Sequence, residues 1–291
     1  MADPSAHSNT SGVQEHAWPV YRNNIVDFLN HSRKRHHISA LWEADVTECQ
    51  ARLRYLQRRT RIAISFNAYL VFLLSRATLK HPEIQSVRIP FRRKTACFDG
   101  VDVGTAIPGR TPDQRTIALA HTIRNAHAKS LAQICLEMRE ASNRNAFDHP
   151  DIRWRYRLAH YPAWMRRWFW RWVDADPARR RRIRGTIGIT NVSFLGDGKH
   201  LAFGIPMPLL TTNLCVGAVY EKLEPAPQQP KGFETRKKIC LTLQSDHDVV
   251  DGAPLGLFVR TFTQSLEQAH GLHDAFADEL VSLHATHRTS R

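Results

Sequence analysis

A histidine and an aspartate four residues apart, His247 and Asp251, stand where a strand gives way to a helix in KICLTLQSDHDVVDGAPLGLF, residues 238–258. Free histidine titrates near pH ~6.5, so His247 can take a proton from a thiol, hydroxyl or amine and make it a nucleophile. A histidine at a strand end can equally be structural. The elements that position it are legible: Ile239, Leu241 and Leu243 alternate with Cys240, Thr242 and Gln244, which is the period of a strand. Pro254 suits a first helical position, and Leu255, Phe258, Val259, Phe262 and Leu266 recur at the spacing of a buried helical face. His247 and Asp251 thus fall in the short crossing, where Gly252 is expected to free the backbone for the turn.

The remaining elements follow from periodicity and punctuation. A helix is expected over 22–32 with Ile25, Val26 and Leu29 as its stripe, then a strand over 37–46 and an amphipathic helix over 47–58 carrying Cys49, Leu53 and Leu56. Residues 64–80 form the most hydrophobic helix, with Ser65 or Asn67 as its cap. A strand over 97–107 is expected to turn at Asp99-Gly100. Ser130 and Gln133 make a capping box ahead of an apolar face of Leu131, Ile134, Cys135 and Met138. Strands over 185–193 and 212–220, a loop over 225–232 and a terminal helix over 274–284 complete the reading.

At 291 residues and 42% apolar content the chain can bury an enzyme-sized core. Five widely spaced cysteines, Cys49, Cys97, Cys135, Cys215 and Cys240, contain no C-x-x-C and no metal-type pairing, so reduced thiols, a cytoplasmic setting and no metal are expected. No signal-peptide run is evident, and residues 1–17 have the composition of a disordered leader before a single domain over 18–291. The net charge of +14 is concentrated: residues 151–184 hold eleven arginines against three aspartates, and five of the seven tryptophans.

The run His247-Asp248-Val249-Val250-Asp251-Gly252, an H-x-x-x-D-G motif, resembles the active-site motif of chloramphenicol acetyltransferase and of the catalytic domain of dihydrolipoyl acyltransferases from 2-oxoacid dehydrogenase complexes. Other stretches match that family in order over about residues 20–270. Asp102-Val103-Gly104 is similar to its V-D-I-G-V-A strand, Thr122 to Ala126 to V-I-R-N-A, Lys129 to Ile134 to K-S-L-A-x-I, and Gly185 to Ser193 to G-T-F-T-I-S-N-L-G. The resemblance implies an α/β (α+β) chloramphenicol-acetyltransferase-like fold, a mixed β-sheet packed with helices. It implies a homotrimer with active sites between subunits, the histidine from one and the hydroxyl from its neighbour. It implies acyl transfer from coenzyme A, or another pantetheine thioester on a small molecule or carrier, with His247 as general base. Thr190 stands where the family has its oxyanion-binding hydroxyl, with Ser193 as the fallback, and Arg22 matches the arginine that pairs with the motif aspartate, here Asp251. The leader has no room for a lipoyl domain, so a free-standing acyltransferase is expected.

Two other readings stay open. A catalytically idle trimeric scaffold would share the fold, and a peripheral membrane or nucleic-acid-binding protein would act through the basic insert at 151–184. If residues 164–172 are helical, Trp164, Trp168 and Trp172 share one face with Arg167 and Arg171 beside it. The favoured expectation is that this face covers the substrate entrance, because the insert leads into the strand that carries Thr190.

Overall fold

The alternation around the histidine becomes β8 (Phe233–Asp246), which forms a long hairpin with β7 (Thr212–Pro225) and lies second from the edge of a six-stranded sheet. The computed structural model describes residues 13–289 apart from 34, 90–91, 111–115, 144–149, 208–209 and 231, so most of the expected leader lies outside the described residues. With β1 (His37–Asp45), β4 (Val103–Arg110), β5 (Thr116–Ile123) and β6 (Ile187–Asn191), the sheet order is β1-β8-β7-β6-β4-β5. β6 is parallel to β4 and β7, and the other pairings are antiparallel. A short hairpin of β2 (Val87–Ile89) and β3 (Lys94–Ala96) stands apart. The sheet is thus mixed, as the fold expectation requires.

The core helices α2 (Thr47–Thr60), α3 (Phe66–Lys80), α4 (Leu131–Asn143) and α8 (Gly252–Glu267) pack with this sheet, and α9 (Asp274–Thr289) packs on α2 and α4. Tyr69, Leu70, Phe258 and Phe262 are fully buried in the core between them, together with Ile187, Leu214 and Leu241 from the strands. Ser65 caps α3 by accepting from the Ala68 N–H at 3.3 Å. Ser130 and Gln133 close the expected reciprocal box, with bonds of 2.9 and 3.2 Å. Four of the five cysteines are buried, and burial pushes the Cys49 and Cys135 thiols up to about 12, so they stay protonated at neutral pH.

Three local expectations change. The 97–107 strand begins only at Val103, because the chain before it is bent around Asp102, whose carboxylate accepts from the Asn125 N–H at 2.8 Å and pairs with Arg124 and Arg181. Burial pulls this carboxyl up, but Arg181, the Asn125 N–H and Arg124 outweigh it and hold it below its usual range. α8 begins at Gly252, two residues before Pro254, which therefore sits in a first turn that does not need its N–H. Gly252 does not have the left-handed backbone expected of a turn glycine, and a Cβ there would meet nothing within 4 Å.

The third change concerns α1 (Arg22–Ser32). Its expected apolar stripe is turned outward, with Ile25 and Val26 exposed, and its polar face is turned inward. Asn23, Asn24, Asp27 and His31 share that face at about 100° per residue. They dock on the insert, which forms α5 (Pro150–Ala159), α6 (Ala163–Asp174) and α7 (Pro177–Arg184).

Candidate active site

β8 ends at Asp246, and its buried carbonyl accepts the N–H groups of Val249 and Val250 at 3.1 and 3.0 Å, which curls the chain into a tight loop. His247 leaves this loop half-exposed, at 45%. Its backbone N–H donates to the His36 carbonyl at 2.7 Å, and its Nδ1 lies 3.1 Å from the Val250 carbonyl oxygen. A carbonyl only accepts, so Nδ1 carries the proton in the neutral ring and Nε2 keeps its lone pair, pointed away from the loop. The sequence's own Val250 therefore selects the tautomer that a general base needs.

Within the chain Asp251 is not paired with Arg22. Its carboxylate is 85% exposed and stands 3.7 Å from His247 Nδ1, beyond hydrogen-bond distance, while Arg22 is exposed at the far end of α1. The helix accounts for the separation: His36 touches the motif, and Arg22 stands at the opposite end of α1, whose ten-residue rise is about 15 Å. A different pair holds the loop. Asp246, buried at the strand end, accepts from the Asp248 N–H at 3.2 Å and lies 3.6 Å from Arg35 Nε. Beside it His36 Nδ1 bonds the Asp248 carboxylate at 2.8 Å, and that hydrogen bond raises the His36 imidazole above its usual value. Sequence reasoning missed Arg35, His36, Asp246 and Asp248. The available signal was Asp246 itself, since a carboxylate closing a buried apolar strand must find a cation or donors.

Thr190 lies near the end of β6, half-buried, and Ser193 follows in a short 3-10 turn whose N–H donates to Asn191 Oδ1 at 2.8 Å. In register Thr190 stands opposite Cys215 of β7, which stands opposite Thr242 of β8. β6 and β8 run in opposite directions, so Thr190 and His247 occupy opposite ends of the sheet, on the order of 20 Å apart at 3.4 Å per residue and 4.8 Å per strand. One chain does not bring them together. The segment after Thr190 exposes Phe194, Leu195, Leu201, Ile205 and Met207, a run of apolar side chains unusual for a free surface.

The insert is joined to α1 by buried charges. Arg166 of α6 pairs with Asp27 at 2.5 Å, and Asp174 receives Arg184 at 2.9 Å and His31 at 2.6 Å. Burial pulls the Asp174 carboxyl up, but the His31 hydrogen bond and the charges of Arg184 and Arg180 hold it at about 2. Asn23 and Asn24 donate to the carbonyls of Ala159 and Arg155 at 3.1 and 2.6 Å. Trp170 and Val173 complete the inner face of α6, with the Arg184 guanidinium 4.7 Å over the Trp170 ring. Within the chain the tryptophan face forms no cover, because the inner face of α6 is already filled by other residues: Trp164, Trp168 and Trp172 share a face and are 67, 64 and 42% exposed.

The fold is that of dihydrolipoamide acetyltransferase catalytic cores. The cubic core of the pyruvate dehydrogenase multienzyme complex matches with a TM-score of 0.65 at 19% identity, covering 94% of this chain and 98% of that one. A probable dihydrolipoamide acetyltransferase from Listeria monocytogenes 4b F2365 matches at 0.61 and 15% identity, over 89 and 97% of the two chains. No family model matches the sequence. Among curated proteins the chain is 25% identical over 208 residues to the dihydrolipoyllysine-residue acetyltransferase component of the pyruvate dehydrogenase complex of Mycoplasma pneumoniae. That match spans 70% of this chain but 42% of the relative's length. Among the described residues no helix is long and apolar enough to cross a membrane.

Proposed function

We propose that the protein is an acyltransferase that moves an acyl group from coenzyme A, or another pantetheine thioester, to a thiol, hydroxyl or amine acceptor. The observation that carries this reading is the His247 ring, held through Nδ1 on the Val250 carbonyl and 45% exposed. The curated relative supports the reaction class. Nε2 takes the proton of the acceptor as it attacks the thioester carbonyl, and the C–S bond breaks as the tetrahedral intermediate collapses. The departing thiolate recovers the proton from His247, so no charge is left on the enzyme. Thr190 donates a hydrogen bond to the oxyanion, and Ser193 takes that role if Thr190→Ala retains turnover.

The hydroxyl comes from a neighbouring subunit on this reading, in a homotrimer. Its support is the opposite placement of Thr190 and His247 and the exposed apolar run after Thr190. We read residues 18–291 as one catalytic unit with 151–184 inserted. The test has two arms. A panel of acyl-CoAs with dihydrolipoamide, hydroxyl and amine acceptors is followed by release of free thiol; no acceptor-dependent release from any pair would leave a scaffold and sink the enzyme. Mixing His247→Ala with Thr190→Ala subunits then restores roughly a quarter of wild-type activity if sites are shared between neighbours. No recovery in mixed trimers would confine the site to one chain.

A further inference from the structure

α6 is folded inside out. Its inner face carries Arg166, only 8% exposed, while three of its tryptophans stand in solvent. The exposure is not the remainder of a core that failed to form, since the buried arginine has a carboxylate built for it in Asp27 and a further bond to the Tyr161 carbonyl at 2.5 Å. At about 100° per residue the outward arc of Trp164, Trp168 and Trp172 is flanked directly by Arg167 and Arg171. On its other flank a groove of about 500 Å³ is lined by Leu158, Tyr161, Trp164, Met165, Trp168 and Phe169.

Among the described residues no carboxylate lies within 4 Å of Arg157, Arg167 or Arg171, whereas Arg166, Arg179, Arg181 and Arg184 of the same insert all have one. The stretch as a whole holds eleven arginines against three aspartates. Tryptophan partitions to the level of lipid headgroups, and arginine lays its stem along an apolar surface while its guanidinium reaches phosphate. An open apolar groove beside such a row accepts acyl chain.

We propose that the outer face of α6 with the end of α5 docks on an anionic phospholipid bilayer. Charge complementarity selects this occupant. A second copy meeting the same face would bring the two arginine flanks together, and single-stranded nucleic acid would stack on the tryptophans but leave the Leu158, Met165 and Phe169 groove unfilled. The assignment is independent of the acyl-transfer reading, because none of these residues belongs to the histidine loop or to β6.

The test is sedimentation of the full-length protein with vesicles of phosphatidylcholine alone or mixed with phosphatidylglycerol. Binding is expected only to the anionic vesicles and to weaken as salt rises. Replacing Trp164, Trp168 and Trp172 together by serine lowers apparent affinity at least ~tenfold, and Arg167→Gln with Arg171→Gln also lowers it, roughly tenfold, without touching the tryptophans. Retained oligomeric state and circular dichroism certify each variant as folded. Failure of the wild type to bind anionic vesicles at low salt, unchanged binding by both folded variants, or a stronger preference for a single-stranded oligonucleotide over the vesicles overturns the proposal.

Discussion

The histidine loop and the junction between α1 and the insert use the same device for opposite ends. In the loop one buried carboxylate, Asp246 beside Arg35, holds the Asp248 N–H at the turn, and the His247 ring is left half-exposed. In the junction Asp27 and Asp174 draw arginines inward, and the aromatic side chains that would otherwise fill that space are left outside. Buried ion pairs contribute little net stability compared with apolar packing but cost heavily when half broken. The loop uses that rigidity to hold one atom, the junction to decide which face of a helix meets water.

The comparison breaks if the two regions are not separable. His247→Ala should lower turnover by about 10²–10⁴ with the thermal midpoint unmoved, because the ring contributes a proton acceptor and little packing. Steady-state kinetics beside thermal denaturation read both quantities, and turnover within about tenfold of wild type would remove the base. Asp27→Ala should do the reverse. It leaves Arg166 buried without its counter-ion and should cost about 3–5 kcal/mol of stability in denaturant titration, with turnover per folded protein unchanged. Equal losses of kcat and stability would merge the two regions into one.

A third prediction sharpens the junction by pH. The Asp174 carboxyl is held at about 2 against an ordinary 3.8, so the unfolded chain binds its proton first. Its stabilisation is present above pH 3.8 and is lost as pH falls toward 2, a contribution of about 2 kcal/mol that Asp174→Asn should remove from the acid limb of the stability curve. An unchanged acid limb in that variant would show that the pair is not closed in solution. The smallest effect is expected from Arg22→Ala, exposed and far from Asp251, at under about 0.5 kcal/mol. A larger loss, coupled to Asp251→Asn in a double-mutant cycle, would restore the pairing that the resemblance implied.

Much of the sheet and its helical layer was legible because apolar period and burial agree there. α4 and α8 face inward along the stripes that their sequences display, α3 is buried continuously from Ala68 to Ser75 as the most hydrophobic helix, and the caps at Ser65 and Ser130 are where their residue types put them. α1 and α6 were legible only as helices. Periodicity identifies which side chains share a face, but not which face is turned inward, and Asn23, Asp27, Arg166 and Asp174 settle that through partners far away in the chain. β5 was missed for a related reason: its place at the sheet edge is fixed by pairing with β4, a partner that periodicity does not name. His247 was found by its motif, whereas Arg35 and Asp246 became visible only when β1 and β8 were seen side by side.

The opposite placement of Thr190 and His247 has a consequence for the cell as much as for the chemistry. With the shared site proposed above, a newly made chain is dormant however well it folds, and competence arises only when chains meet. Dilution would then silence the protein without unfolding it, and a chain carrying a defective histidine would silence the one site it supplies with that ring while its Thr190 still served a neighbour's.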